Sequence, residues 1–312
     1  MSQLPQNNPK ADQKPSANEA IVLTPEFLRG WSLPQPDEAG DKEDWGRVLV
    51  IGGAPEMPGA VILAAEAALR AGAGKLRIAT CDSIAPFVAT AIPESRVFAM
   101  PETRRGGIDP VAAKELAERA GQVSAVLIGP GMVDQESLNE LLAEVLPQLK
   151  PDTLILDAAA FELLCSKAEA LHHLDGKAII TPHAGEMAHL MGIAKEEVTA
   201  DPFRLSQEAA KRFKAVVALK GAETYIAAPN GKVFCNRTGN VGLATGGSGD
   251  TLAGIMVGLA GRGAEPQQAA AWACFLHGSA GDRLAERIGR IGFLARELLP
   301  EIPALMASLD PN

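Results

Sequence analysis

The run Arg237-Thr-Gly-Asn-Val-Gly-Leu-Ala-Thr-Gly-Gly-Ser-Gly-Asp-Thr-Leu-Ala-Gly-Ile-Met-Val-Gly-Leu-Ala-Gly-Arg262 changes character halfway along. Its first half is loop chemistry, in which Gly239, Gly242, Gly246, Gly247 and Gly249 free the backbone to take positive φ and approach a ligand closely. Its second half places Leu252, Ile255, Met256 and Leu259 at helical spacing, which predicts a helix beginning near Asp250. A glycine-rich turn feeding a helix start offers an anion both unpaired N–H groups and the positive end of the helix dipole. Asp250 then has two readings. It is a helix cap, for which Asp is well suited, or a general base beside a bound phosphate. A cap needs no Gly-Gly-Ser-Gly before it, and that weighs toward the base.

Working back toward the N-terminus, strand and helix signals alternate. Arg47–Ile51 is a continuous apolar run ending in Gly52-Gly53, the pattern of a strand buried on both faces. Pro58 and Gly59 open an alanine-rich helix to Ala71, and Gly72-Ala73-Gly74 closes it. Strands are expected at Leu76–Thr80, Arg96–Met100, Val123–Ile128, Thr153–Leu156, Ala178–Ile180 and Ala215–Leu219, with helices from Asp109-Pro110 to Ala120 and over Glu136–Leu149. Pro229-Asn230-Gly231 between Thr224–Ala228 and Lys232–Asn236 is a hairpin signal. From Asp250 to about Ser308 the chain reads as helical, with a break near Gly289–Gly292. Such alternation means an α/β fold, a mostly parallel sheet with helices on both faces. No composition shift divides it, so residues 21–312 are expected to form one domain behind a polar tail over residues 1–20.

In this architecture ligands bind at the carboxyl ends of the strands. Gly52-Gly53, Gly129-Pro130-Gly131, Pro182-His183, Lys220-Gly221 and the loop before Asp250 all fall there. Lys220 at a strand end meets a phosphate as a point charge, or merely turns the chain toward the hairpin. His183 lines a pocket or caps the helix after it. Asp157, another strand-end carboxylate, is catalytic or caps the helix after it.

Composition excludes several classes. A net charge of -9 over 312 residues argues against nucleic-acid and membrane-surface partners. The run Thr251–Gly261 is too short to span a bilayer, and the first residues contain no apolar signal core. Cys81, Cys165, Cys235 and Cys274 form no C-x-x-C pair, so they are expected as buried thiols of a cytoplasmic protein. The phosphate-binding signature G-x-x-x-x-G-K-[ST] is missing, and Asp134 stands where a dinucleotide fingerprint starting at Gly129 needs its third glycine. His183 and His189 lack the H-E-x-x-H arrangement, so no structural zinc is expected. His189 reads as an ordinary helix histidine.

Gly246–Asp250 resembles the G-x-G-D anion hole of the ribokinase-like superfamily. The wider set is similar to the ADP/ATP-dependent NAD(P)H-hydrate dehydratases. It comprises Gly46–Gly53, Pro58-Gly59-Ala60, Arg70–Gly74, Gly129-Pro130-Gly131, Thr181–Glu186, Leu219-Lys220-Gly221 and Gly239–Gly254. The resemblance implies a three-layer sandwich that removes water from hydrated nicotinamide cofactors. It implies that Ala60, Gly131, His183 and Asp250 line the hydrate, and that Lys220, Gly221, Ala222, Glu223, Thr224 and Gly249 hold the adenine nucleotide. Gly247, Ser248 and Gly249 would form the anion hole, Asp250 the base, and Glu186 would organise Mg2+ through water. His183 stands where vitamin kinases of the superfamily carry Asn, which favours the dehydratase over a kinase of a hydroxymethylpyrimidine or thiazole alcohol. The family further implies ADP as co-substrate, a homo-oligomer (a tetramer), and a separate epimerase working alongside.

Overall fold

The computed structural model describes residues 19–35 and 46–309. The polar tail lies outside the described residues except for Glu19 and Ala20, and so does the polar stretch Gly40–Asp44 that precedes the first long apolar run. The apolar runs form β1 (Ile21–Val22), β2 (Arg47–Ile51), β3 (Lys75–Cys81), β4 (Ser95–Met100), β5 (Ala125–Ile128), β6 (Thr153–Leu156), β7 (Ala178–Ile180), β8 (Val216–Leu219), β9 (Thr224–Ala227) and β10 (Val233–Asn236). They make one sheet in the order β1-β10-β9-β8-β7-β6-β5-β2-β3-β4. Every pairing is parallel except those of β9, which is antiparallel to β8 and to β10.

The chain runs β2, β3, β4 outward in one direction, returns to place β5 beside β2, then continues β6, β7, β8 in the other. Strand order therefore reverses between β2 and β5, where Val50 pairs with Leu127. At a switch of this kind the connections leave toward opposite faces and open a crevice at the carboxyl ends. The two strands leave it through Gly52-Gly53 and Gly129-Pro130-Gly131. These glycines are sterically required: a Cβ on Gly52 would lie 2.3 Å from the Pro130 carbonyl oxygen, and one on Gly129 would lie 1.9 Å from that of Asp157.

The helix Ser248–Gly261 is buried almost all round, as its uniformly small and apolar sequence requires. It packs on the helix Pro58–Arg70 at very close range. Cβ atoms on Gly254 and Gly258 would fall 2.2 and 2.5 Å from the carbonyl oxygens of Ala64 and Ala68. The helix Pro266–Arg287 covers its other side, so the glycine loop is held between two helices and the strand ends.

The structure refines several expectations. The glycine-loop helix starts at Ser248, two residues before Asp250, and among the five loop glycines only Gly239 and Gly247 take positive φ. Asp109 caps as expected, its Oδ1 accepting from the Val111 N–H, but the first turn, Pro110–Ala112, is a 3-10 turn ahead of the helix Ala113–Ala120. The helix expected over Glu136–Leu149 runs Gln135–Val145 and tightens into a 3-10 turn at Pro147, whose ring and missing N–H end the α ladder. The last third is broken three times, at residues 262–265, 288–294 and 299–300. Cys81, Cys235 and Cys274 are buried, Cys165 is half-buried, and all four are free thiols. No helix among the described residues is long and apolar enough to cross a membrane.

Candidate active site

The glycine loop is fixed from behind by one carboxylate. Asp282, on the helix Pro266–Arg287, accepts from the Gly239 N–H at 2.8 Å and from Asn240 Nδ2 at 3.0 Å, while Asn240 Oδ1 accepts from the Gly242 N–H at 2.9 Å. The chain then reaches Gly247, the N-cap of the glycine-loop helix, with φ +87°. A side chain there would strain the backbone and strike Leu63 Cδ1 at 2.5 Å. The first-turn N–H groups of Gly249 and Asp250 have no preceding helical carbonyl to bond. Opposite them stands Lys220, whose Nζ would be 3.8 Å from a Cβ on Gly249.

Lys220 ends β8. Its N–H donates to the Pro182 carbonyl at 2.8 Å, which extends the β7–β8 pairing into the loop and sets Lys220 beside His183. Its ammonium lies 3.4 Å from Asp157 Oδ1 and 4.0 Å from Glu186 Oε2. Burial works against this charge, yet the carboxylates of Asp157, Glu186 and Asp250 outweigh it and hold the lysine pKa above its ordinary value. Asp157 is itself buried and accepts from the Thr181 hydroxyl.

His183 is the N-cap of the helix Ala184–Met191. Its Nδ1 accepts from the N–H groups of Gly185 and Glu186 at 3.0 and 3.1 Å, and Glu186 Oε2 accepts from the His183 N–H at 2.7 Å, a reciprocal capping box. His183 also borders the cavity, so the cap of this helix stands on the cavity's rim.

Asp250 is not the cap of its helix. Gly247 occupies that position, and no side chain caps the helix start. The Asp250 carboxyl is instead half-buried with its pKa pushed up to about 6, chiefly by burial and then by the charge of Asp157, against the opposing pull of Lys220 and its own backbone N–H. A carboxylate with that pKa is mostly ionised at neutral pH yet accepts a proton readily, as a general base requires.

A cavity of about 750 Å³ opens at the ends of β7 and β8, against the start of the glycine-loop helix. His183, Lys220, Gly221, Ala222, Thr224, Ser248 and Gly249 border it. Glu223 does not: its carboxylate accepts from the Tyr225 hydroxyl at 2.9 Å and pairs with Arg237 at 2.8 Å, and those partners, Tyr225 first, hold its pKa low. Ala60 and Gly131 meet elsewhere, in the switch-point crevice, where a Cβ on Gly131 would touch the Ala60 methyl at 2.9 Å and Gly53 Cα at 3.4 Å. Asp250, one residue along from Gly249, does not border the cavity. Its charge is coupled to Asp157 and Lys220.

Two features escape a reading of the sequence. Asn236, Thr238, Asn240 and Thr245 line the cavity from the hairpin side, and His277 lines it from the helix Pro266–Arg287. His277 is buried with Nε2 3.0 Å from Ser248 Oγ, and burial pushes its pKa down to about 4. Its only signal in the sequence is a lone imidazole directly after the apolar run Ala269–Leu276. As for metal-type clusters, Glu162, Cys165 and His189 bring ligand atoms within 4.8 Å of one another, the one such group found among the described residues. His189 Nε2 is there 2.9 Å from Glu162 Oε2, an exposed ion-pair contact remote from His183 in role.

A parallel sheet with a switch-point crevice, and a glycine loop closing on a cavity large enough for a nucleotide, define the ribokinase-like class of α/β proteins. Residues 48–304 match the NAD(P)H-hydrate dehydratase family model, and the chain belongs to that family. It is 44% identical to the ADP-dependent (S)-NAD(P)H-hydrate dehydratase of Xanthomonas campestris over 92% of this chain and 96% of that one. It is 38% identical to a bifunctional NAD(P)H-hydrate repair enzyme of Moorella thermoacetica over 93% of this chain, and spans 54% of that longer protein. Among solved structures, the ADP/ATP-dependent NAD(P)H-hydrate dehydratase of Bacillus subtilis co-crystallised with ATP and Mg2+ superposes with a TM-score of 0.76 at 29% identity, covering 94% of this chain and 100% of that one.

Proposed function

We propose that this protein removes water from the S-epimer of NADH or NADPH hydrate at the expense of ADP, releasing AMP and phosphate. The observation that carries the reading is the position of Asp250, a half-buried carboxyl of raised pKa in the first turn of a helix whose N-terminus faces Lys220 and a nucleotide-sized cavity. The relatives' shared activity supplies the substrate class.

A ring hydroxyl is a poor leaving group in water. In this reading Asp250 takes the hydroxyl proton as the ring oxygen attacks the terminal phosphorus of ADP, and AMP departs. Phosphate then leaves the ring carbon as a neighbouring ring proton is lost, which restores the dihydronicotinamide. Lys220 and the Gly249 N–H hold the transferring phosphoryl, where negative charge develops. Lys220, Gly221, Ala222 and Thr224 border the nucleotide, whereas Glu223 stands behind them and fixes the strand through Tyr225 and Arg237. The crevice at Ala60 and Gly131 takes the hydrate, with His183 at the boundary between the two ligands.

The donors around Lys220 suit Mg2+. Asp157 and Glu186 are hard oxygen ligands, and a bound diphosphate would supply more. Glu186 already gives one oxygen to the His183 N–H, which supports contact through water rather than directly. When bound, the ion neutralises charge on the phosphates. The free thiols support a reducing, cytoplasmic setting. Exposed Val241, Ile288, Ile291 and Leu294 support burial in a homo-oligomer. The bifunctional relatives support partnership with a separate epimerase.

The test is recovery of dihydronicotinamide absorbance from hydrate and ADP, with phosphate measured in parallel. Equal yields of reduced cofactor, AMP and phosphate are expected. Nucleotide turnover that leaves a stable phosphorylated alcohol and no free phosphate would assign the site to a kinase instead.

A further inference from the structure

The hydroxyl of Ser248 sits at the mouth of the anion hole, on the first residue of the glycine-loop helix, and borders the cavity. Alone, a serine hydroxyl rotates freely and presents a donor or a lone pair with equal ease. Here its oxygen lies 3.0 Å from Nε2 of His277, which reaches it from the neighbouring helix and is 8% exposed. Two tautomers of the ring give opposite sites. With the proton on Nδ1, the bare Nε2 accepts the serine proton and turns oxygen lone pairs toward the cavity, where they repel a phosphate. With the proton on Nε2, the ring donates to the serine oxygen and leaves the hydroxyl proton free to point at the anion.

We infer that His277 is a positioning residue which, as the Nε2–H tautomer, directs the Ser248 hydroxyl as a dedicated donor to the terminal phosphate of the bound nucleotide. Two placements support this. Ser248 lies between Gly247 and Gly249, the latter facing the Lys220 ammonium, so an anion drawn to Lys220 and the helix N-terminus comes within reach of that hydroxyl. The ring is buried on the helix Pro266–Arg287, and its depressed pKa keeps it neutral across the physiological range. The positive charge at the anion hole therefore comes from Lys220, and the imidazole supplies direction rather than charge.

This inference rests on the nucleotide reading of the cavity, and the experiment separates the two. Calorimetric affinity for ADP is measured on the wild type, Ser248→Ala, His277→Phe, His277→Gln and the double variant Ser248→Ala/His277→Phe. We expect about a fivefold loss for His277→Phe, the worth of one hydrogen bond. Recovery is expected for His277→Gln, whose amide N–H reaches the same oxygen, and the double variant should bind no more weakly than Ser248→Ala. The KM for the hydrate should stay at the wild-type value throughout. A wild type that fails to bind ADP overturns the nucleotide reading itself. Wild-type binding with an unaffected His277→Phe, or with additive losses in the double variant, overturns only the role of His277. Imidazole 15N shifts of the wild-type protein give an independent result that no folding defect obscures: a protonated Nε2 is expected, and a protonated Nδ1 refutes the inference.

Discussion

Replacing Asp250 with Asn separates its chemistry from its structural cost, because the two effects run in opposite directions. The carboxyl has its pKa raised from an ordinary 3.8 to about 6, first by burial and then by the charge of Asp157. A carboxyl whose folded pKa exceeds its unfolded value binds its proton more tightly when folded, so ionising it destabilises the fold. The penalty is absent well below pH 4, where the group is neutral in both states. It grows as pH rises between the two values and is complete above about pH 6 to 7. Two pKa units at ~1.4 kcal/mol each set an upper bound of about 3 kcal/mol. The shift to about 6 already includes the opposing attraction to Lys220, so a net gain of about 1–3 kcal/mol is expected at pH 8, shrinking toward zero near pH 4.

Turnover should move the other way. Loss of a positioned acid–base group costs ~10²–10⁴-fold, and ADP should bind as tightly as in the wild type or more tightly, because one negative charge near the phosphates is gone. The assay is urea denaturation of both proteins at pH 8 and pH 4.5, with ADP calorimetry and turnover at pH 8. A stability gain of equal size at both pH values would show that burial of the charge is not its cause. Retention of more than about a tenth of wild-type turnover, far short of the expected loss, would remove Asp250 from the mechanism.

Two further positions probe the rim of the cavity and the packing of the helix that carries Asp250. His183→Ala should cost about 0.5–2 kcal/mol through loss of the helix cap and raise the KM for the hydrate, whereas His183→Asn should restore the stability alone; an Asn variant with wild-type KM would confine His183 to capping. Gly254→Val should destabilise by about 3 kcal/mol or more, since the added carbon meets the Ala64 backbone oxygen at 2.2 Å and neither helix can yield; Gly59→Ala, with open space around it, is the neutral control, and equal melting temperatures for the two variants would refute the close-packing account.

The sequence was most legible where one requirement acted over many residues. Strands buried on both faces need unbroken apolar runs, so β2, β5, β6, β7 and β8 stood out and were placed within two residues of their observed ends. The close helix pair was visible as alanines in Pro58–Arg70 and glycines in Ser248–Gly261, although only the structure shows which small residues meet. Short edge elements were not legible. β1 has two residues, and its existence depends on pairing with β10, some two hundred residues away, which no local pattern encodes. The helix Pro202–Phe213 carries a clear amphipathic pattern, with Leu205, Ala209 and Phe213 inward and Asp201 as its cap, and it packs on β8 and β9 without bordering the cavity.

The site divides along the same line. The glycines and charged residues at strand ends could be collected from the sequence because the α/β plan sends every strand end to one rim, and His183, Lys220 and Gly249 do meet there. Position on the rim does not fix direction, however. Glu223 sits among residues that border the cavity, yet from the bend just before β9 its carboxylate turns to Tyr225 and Arg237 instead. Ala60 and Gly131 lie in the crevice between β2 and β5 rather than in the cavity, a separation that depends on the order of strands and not on any motif. The two readings of Asp250 were inseparable by composition, since either one places a carboxylate at a helix start. What separates them is a shift of two residues: with the helix beginning at Ser248 and capped by Gly247, the carboxyl falls inside the first turn, where it has no capping bond to make and a buried charge to lose. That placement supports the base we propose.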